Sequence, residues 1–139
     1  MQATLDRFAS EAVARLGAGT FCSLTISASG AVSQVASNDD RAKACDRVEV
    51  RDQTGPCLTA MAQLSSVVID DLQTDERWSR WNQAALSSGF RSFVALPGYV
   101  DETTTVALNA YSEGTGTWTV QGLVAMDLYV QELAAELRH

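Results

Sequence analysis

TTTVALNAYS, residues 103–112, is the stretch on which the reading of the fold turns. Its β-branched residues favour a strand. In a strand, alternate side chains share a face, so Ala107, Asn109 and Tyr111 belong together. RSFVALPG (91–98), just before it, reads as a second strand stopped by Pro97-Gly98. Upstream, FCSLTIS (21–27) alternates Cys22, Leu24 and Ile26 against Ser23 and Thr25, the pattern of a half-buried strand. ASG (28–30) is a turn signal, AVSQVAS (31–37) a partner strand and SVVID (66–70) a short one.

The segments between these strands are helical. Leu5, Phe8, Ala9, Ala12, Val13 and Leu16 recur at 3.6 spacing over 2–16, and Gly17 and Gly19 end that run. A short helix is expected over 39–47. A second opens at Gly55-Pro56 and ends near Leu64. A third, over 72–89, has Thr74 or Asp75 as its cap and Gly89 just past its end. The longest covers 119–138. The order predicts an α+β fold with a central antiparallel sheet between helices, in one domain over 1–139.

Composition narrows the function classes. Seventeen acids against ten bases give a net charge of −7, which speaks against nucleic-acid binding. No apolar run reaches membrane-spanning length, and MQATLDRFASEA lacks the basic start and apolar stretch of a signal peptide. Cys22, Cys45 and Cys57 have no CxxC spacing, which favours reduced thiols, a cytoplasmic location and no structural zinc. The only histidine is His139, expected at a frayed terminus, so no mechanism or metal site can draw on an internal histidine.

DQTGPCLTAM (52–61) poses the sharpest chemical question. Proline suits the first helical position, which makes Gly55 the cap and puts Cys57 in the first turn. The helix dipole there can favour a reactive thiolate. A small buried residue pressed on the sheet fits the same position.

In the last helix, Leu123, Met126, Val130, Leu133 and Leu137 follow the a/d spacing of a coiled coil, while Ala125, Tyr129, Glu132 and Glu136 make a wetter face. A homodimer seam formed with the first helix is expected; the alternative is that the whole stripe is internal core.

Taken in order, GPCLTAM, VVIDDLQTDERW, NQAALSSGFRSFVALP and ALNAYS resemble a GAF domain, most like the sensor domain of actinobacterial GAF–ANTAR regulators. The resemblance covers nearly the whole chain. It implies a GAF/PAS-like sheet with the terminal helices (1–17 and 119–138) on one face and inserted helices and loops on the other, around a small-molecule pocket. It also implies a sensory role in signal transduction. The RNA-binding ANTAR segment that follows the last helix in those regulators does not follow here, so an output domain, if there is one, is expected outside this chain.

The same family includes the free-methionine-sulfoxide reductases. Gly55-Pro56-Cys57-Leu58 partly resembles one of their cysteine segments, and Cys45 resembles their second cysteine. Their nucleophile falls in the segment occupied here by DERWSRWNQ, which has no cysteine. Sulfoxide reduction needs an attacking thiolate and a resolving thiol. No catalysis is therefore expected. Members that bind haem, bilin or cyclic nucleotides carry an internal histidine, a Cys-His pair or an Asn-Lys-x-Phe set; these are absent here, so no cofactor is expected.

The candidate ligand-binding residues are Trp78, Trp81, Asn109 and Tyr111. The two tryptophans stand three apart and are expected on one face of their helix, able to wall a pocket or simply to cover the sheet. Asn109 is the polar group of an otherwise apolar strand. Asp70 and Asp71 are adjacent and are expected on opposite faces, which does not make a carboxylate pair. The expected pocket lies between the sheet and the helices of 56–64 and 75–88. The expected ligand is a small neutral or weakly acidic organic molecule; a dimerisation module with a collapsed pocket is the other non-enzymatic reading.

Overall fold

The computed structural model describes residues 1–17 and 19–138; His139, and with it the expected frayed terminus, lies outside the described residues. The elements run α1 (Gln2–Leu16), β1 (Phe21–Ala28), β2 (Ala31–Ser37), α2 (Asp40–Asp52), α3 (Pro56–Gln63), β3 (Val67–Ile69), α4 (Ser79–Ser87), β4 (Ser92–Asp101), β5 (Thr104–Ser112) and α5 (Val120–Leu137). The strands form an antiparallel sheet of order β2-β1-β5-β4-β3. The fold is α+β, as the order of motifs predicts.

Strand alternation separates two cores. Cys22, Leu24 and Ile26 of β1, Val94 and Leu96 of β4, and Val106, Leu108 and Ala110 of β5 face α1 and α5. Phe93, Ala95, Ala107 and Tyr111 face α2, α3 and α4. Strand β5 is central and buried on both sides from Val106 onward.

Several local readings need correction. Pro97-Gly98 does not stop β4, which continues to Asp101. The short β3 pairs only with Phe93, Val94 and Ala95, so Pro97 sits where β4 has a free edge and needs no N–H there. Gly98 marks a close approach: a Cβ would come within 3.1 Å of the Val130 carbonyl and 3.2 Å of Ala134 Cβ on α5.

The helix expected over 72–89 begins only at Ser79. Asp71 Oδ1 accepts from Gln73 N (2.9 Å), and Asp75 Oδ1 accepts from Arg77 N (3.0 Å). These local bonds compete with helix formation. Trp78 then takes a left-handed backbone (φ 49°) at the N-cap. Helix α2, in contrast, is longer than expected and ends at Asp52. Asp39 starts it by accepting from Arg41 N and Ala42 N.

The coiled-coil reading of α5 changes most. Met126, Val130, Leu133 and Leu137 are buried in the α1/α5 core, with Leu123 half-buried against it. Tyr129, expected on the wetter face, is buried too, its hydroxyl donating to the Phe8 carbonyl at 2.5 Å. Strands β4 and β5 need a cover and α5 provides it, so the proposed seam is spent within one chain. The large apolar residues left exposed on α5 are Val120, Val124 and Leu128. Arg7–Glu136 (2.7 Å) and Arg15–Glu132 (3.1 Å) tie α1 to α5 across half-exposed surface.

Candidate functional site

The side chains that α2 turns to the sheet are Ala42, Cys45, Asp46 and Glu49, an i, i+3, i+4, i+7 stripe. Two of these are carboxylates, each only 1% exposed. Asp46 meets the middle of the sheet. Its Oδ1 accepts from the Tyr111 hydroxyl at 2.6 Å. Its Oδ2 accepts from Asn109 Nδ2 at 2.7 Å and from Thr25 Oγ1 at 3.2 Å. Asn109 Nδ2 also donates to Thr25 Oγ1 (3.0 Å), and Trp81 Nε1 donates to the Tyr111 oxygen (3.3 Å).

The hydrogens of this network therefore run toward Asp46, which suits an acceptor-only, ionised carboxylate. Burial pushes the Asp46 carboxyl up, while Tyr111, Ser23, Asn109 and Thr25 pull it back down. Glu49 is pushed well up by burial and then by the charge on Asp46. Two close buried carboxyls do not both ionise readily; the donors favour the charge on Asp46 and the proton on Glu49.

Glu49 explains the Gly-Pro-Cys triplet. Its Oε1 accepts from Cys57 N at 2.9 Å and so caps α3 from a neighbouring helix. A Cβ on Gly55 would overlap the Glu49 carboxylate, and the backbone there has φ 152°. Pro56 supplies the first helical residue, as expected. Cys57 is buried beneath this cap. Burial, then the neighbouring acidic side chains of Glu49 and Asp46, pushes its thiol well up, against the dipole effect that the sequence position suggests. Burial also raises Cys22 to about 12 and Cys45 to about 11. The three thiols are free and buried, with no exposed thiolate among them.

The candidate residues separate into two places. Trp81 is buried, its ring 4.8 Å from Phe93 and near-perpendicular to it. Asn109 and Tyr111 lie beneath, fully buried, but they meet Asp46 instead of the floor of an open cavity. Trp78 is half-buried and precedes α4 rather than sitting within it, so the two tryptophans do not share a helix face. Its indole has the Arg77 guanidinium 4.7 Å above it.

An open groove of about 550 Å³ runs past this corner, lined by Asp52, Thr54, Glu76, Trp78, Ser79, Arg80 and Trp81. The start of α4 faces it without a side-chain cap. Among the described residues there is no cluster of three or more His, Cys, Asp or Glu placed to hold a metal ion, and no helix long and apolar enough to cross a membrane.

Asp46, Glu49 and Thr25 were not expected at the site. Their signal is present: in ACDRVE (44–49) the acids fall on the face of Ala42 and Cys45. Charged residues on every side of that helix hide it.

A family model for the GAF domain matches residues 1–135. No curated protein matches the chain. Among solved structures, the chain is similar to the GAF domain of a two-component sensor histidine kinase from Bacillus halodurans (TM-score 0.69, 11% identity, 99% of this chain and 92% of that one). It is also similar to the type II free methionine-R-sulfoxide reductase from Thermoplasma acidophilum (TM-score 0.74, 11% identity, 99% and 94%). A third is the free methionine-R-sulfoxide reductase from Neisseria meningitidis, solved with its substrate (TM-score 0.63, 20% identity, 98% and 74%). At these identities the likeness is one of fold, shared by a sensor and by enzymes. The family match over nearly the full length is more specific: this chain belongs to the GAF domain family.

Proposed function

We propose that this chain is a non-catalytic sensory or regulatory domain of intracellular signal transduction, which takes a small neutral or weakly acidic organic ligand beside Trp78 and Trp81. The observation that carries this reading is the position of Trp81. It borders the open groove and also donates to Tyr111, which in turn holds Asp46. A ligand in the groove thus abuts a residue wired to the centre of the sheet. Asn109 and Tyr111 act in this reading as the inner relay rather than as first contacts.

The order of motifs from Gly55 to Ser112 supports kinship with the sensor domains of GAF–ANTAR regulators, and with it a role in transcription regulation through an output domain outside this chain. A homodimer through the terminal helices would use the exposed strip Val120, Val124 and Leu128, with Leu123 at its margin. The thiol reductase reading is disfavoured because the cysteines are buried and held as thiols.

Tryptophan fluorescence against a panel of small metabolites, with native mass spectrometry of the purified chain, tests the ligand. Saturable quenching that is lost in Trp78→Ala is expected. A panel without response together with a ligand-free mass would leave the dimerisation module. Thiol-dependent reduction of free methionine sulfoxide, abolished by Cys57→Ser, would establish the enzyme instead.

A further inference from the structure

The buried face of β1 and β5 carries a ready-made set of hydrogen-bond donors. Thr25 stands on one strand, Asn109 and Tyr111 on its neighbour, fixed in register by the pairs Phe21–Tyr111 and Ser23–Asn109. Their donors converge on the two oxygens of one planar group: Tyr111 on the first, Asn109 and Thr25 on the second. That division suits a carboxylate better than a spherical halide or a tetrahedral oxyanion. The wall is aromatic and buried, with Tyr111 flanked by Phe90 and Phe93, each 4.8 Å away between ring centroids.

The group that fills this set does not belong to the sheet. Asp46 reaches it from α2, a separate element laid across the strands. Nor does the filling satisfy every atom: Asn109 Oδ1 and Glu49 Oε2 are buried without partners. Most buried polar atoms in native proteins are paired, so unpaired ones beside this donor set call for an explanation.

We propose that Thr25, Asn109 and Tyr111 form a receptor for a carboxylate group, and that Asp46 is its tethered occupant. Helix α2 is then the chain's own ligand, its Asp46 carboxylate filling the donor set. This site is distinct from the groove at Trp78 and does not depend on that groove binding anything.

Asp46→Ala removes the occupant and leaves the donors. Sodium formate and sodium acetate are the probes, with sodium chloride at equal ionic strength as the control. The variant should melt below the wild type. Formate should then raise its Tm saturably, by about 5 °C, as expected for a ligand at many times its dissociation constant. Chloride should not reproduce the rise, and Asn109→Ala in the same background should abolish it. A folded Asp46→Ala that responds alike to formate and chloride overturns the proposal. If Asp46→Ala does not fold, the wild type still decides. Carbon-13 NMR of its carboxyls at about pH 7 should find Asp46 ionised; a protonated Asp46 there overturns the receptor.

Discussion

The two faces of the sheet are built on different principles. The face covered by α1 and α5 is hydrocarbon: Leu5, Phe8, Leu24, Val94, Leu108, Val130 and Leu133 fill it. The face covered by α2, α3 and α4 mixes Phe90, Phe93, Trp81 and Tyr111 with Asp46, Glu49, Thr25 and Asn109. Hydrophobic burial is non-directional and tolerates small shifts. A buried polar set is directional and loses much when one member goes. The terminal-helix face therefore supplies cohesion, while the inserted-helix face supplies a defined arrangement of groups. The position of ligand-capable residues follows this division.

The largest effect should come from placing a charge in the hydrocarbon face. Leu133→Glu should cost about 4 kcal/mol or more, because the carboxylate is buried without a partner. Circular dichroism with urea titration should show loss of the fold. If the variant stays folded and changes only its oligomeric state, Leu133 lies in a seam between chains and the contrast between the faces fails.

On the polar face, Gly55→Ala should be next. The new methyl meets the Glu49 carboxylate, and the cost should be about 2–3 kcal/mol in urea unfolding. A change below about 0.5 kcal/mol would mean that Glu49 turns away freely and is no cap.

The position of α1 was legible because its apolar spacing and its glycine stop agree. The start of α3 was legible because Gly55-Pro56 is a strong local signal. The start of α4 was not, because Asp71 and Asp75 use their side chains on nearby N–H groups, and an acid before a helix looks the same whether it caps or competes. Pro97 could be placed within β4 only once β3 was known to stop short of it. The α5 stripe gives one spacing for burial inside a chain and between chains, so sequence could not choose. Asn109 and Tyr111 could be grouped from sequence because they share a strand face, though not with the partner they meet. Their partner Asp46 was missed because acids on a charged helix usually mean solvated surface.

A third test sharpens the contrast through pH. Glu49 in the folded chain keeps its proton above the ordinary carboxylate range. Between the unfolded value, about 4.3, and the raised folded value, the native state binds more protons than the unfolded one. Stability should therefore fall as pH rises through that window. Glu49→Gln keeps an acceptor for Cys57 N and removes the titration, so the slope of unfolding free energy against pH should flatten by roughly 1 kcal/mol per pH unit. Parallel wild-type and variant profiles would assign the slope to another group.

The smallest effect is expected on the outer surface of α5. Leu128→Glu should change monomer stability by less than about 0.5 kcal/mol, since the residue is 60% exposed. Light scattering on the same variant reads the exposed strip directly: loss of a wild-type dimer supports association there, whereas a loss of stability would show that the strip is covered within the chain.

The Glu49 cap also has a kinetic side. A helix capped by its own flanking residue can fray alone. Helix α3 is capped by a side chain of α2, and α2 is anchored to β1 and β5 through Asp46. The first turn of α3 cannot open without either breaking the Cys57 bond or lifting α2 from the sheet. In hydrogen-exchange terms the amide of Cys57 should report on a cooperative unit of two helices and two central strands, rather than on the end of an eight-residue helix. The Gly-Pro-Cys triplet thereby marks a junction at which slow, collective openings of this face become visible.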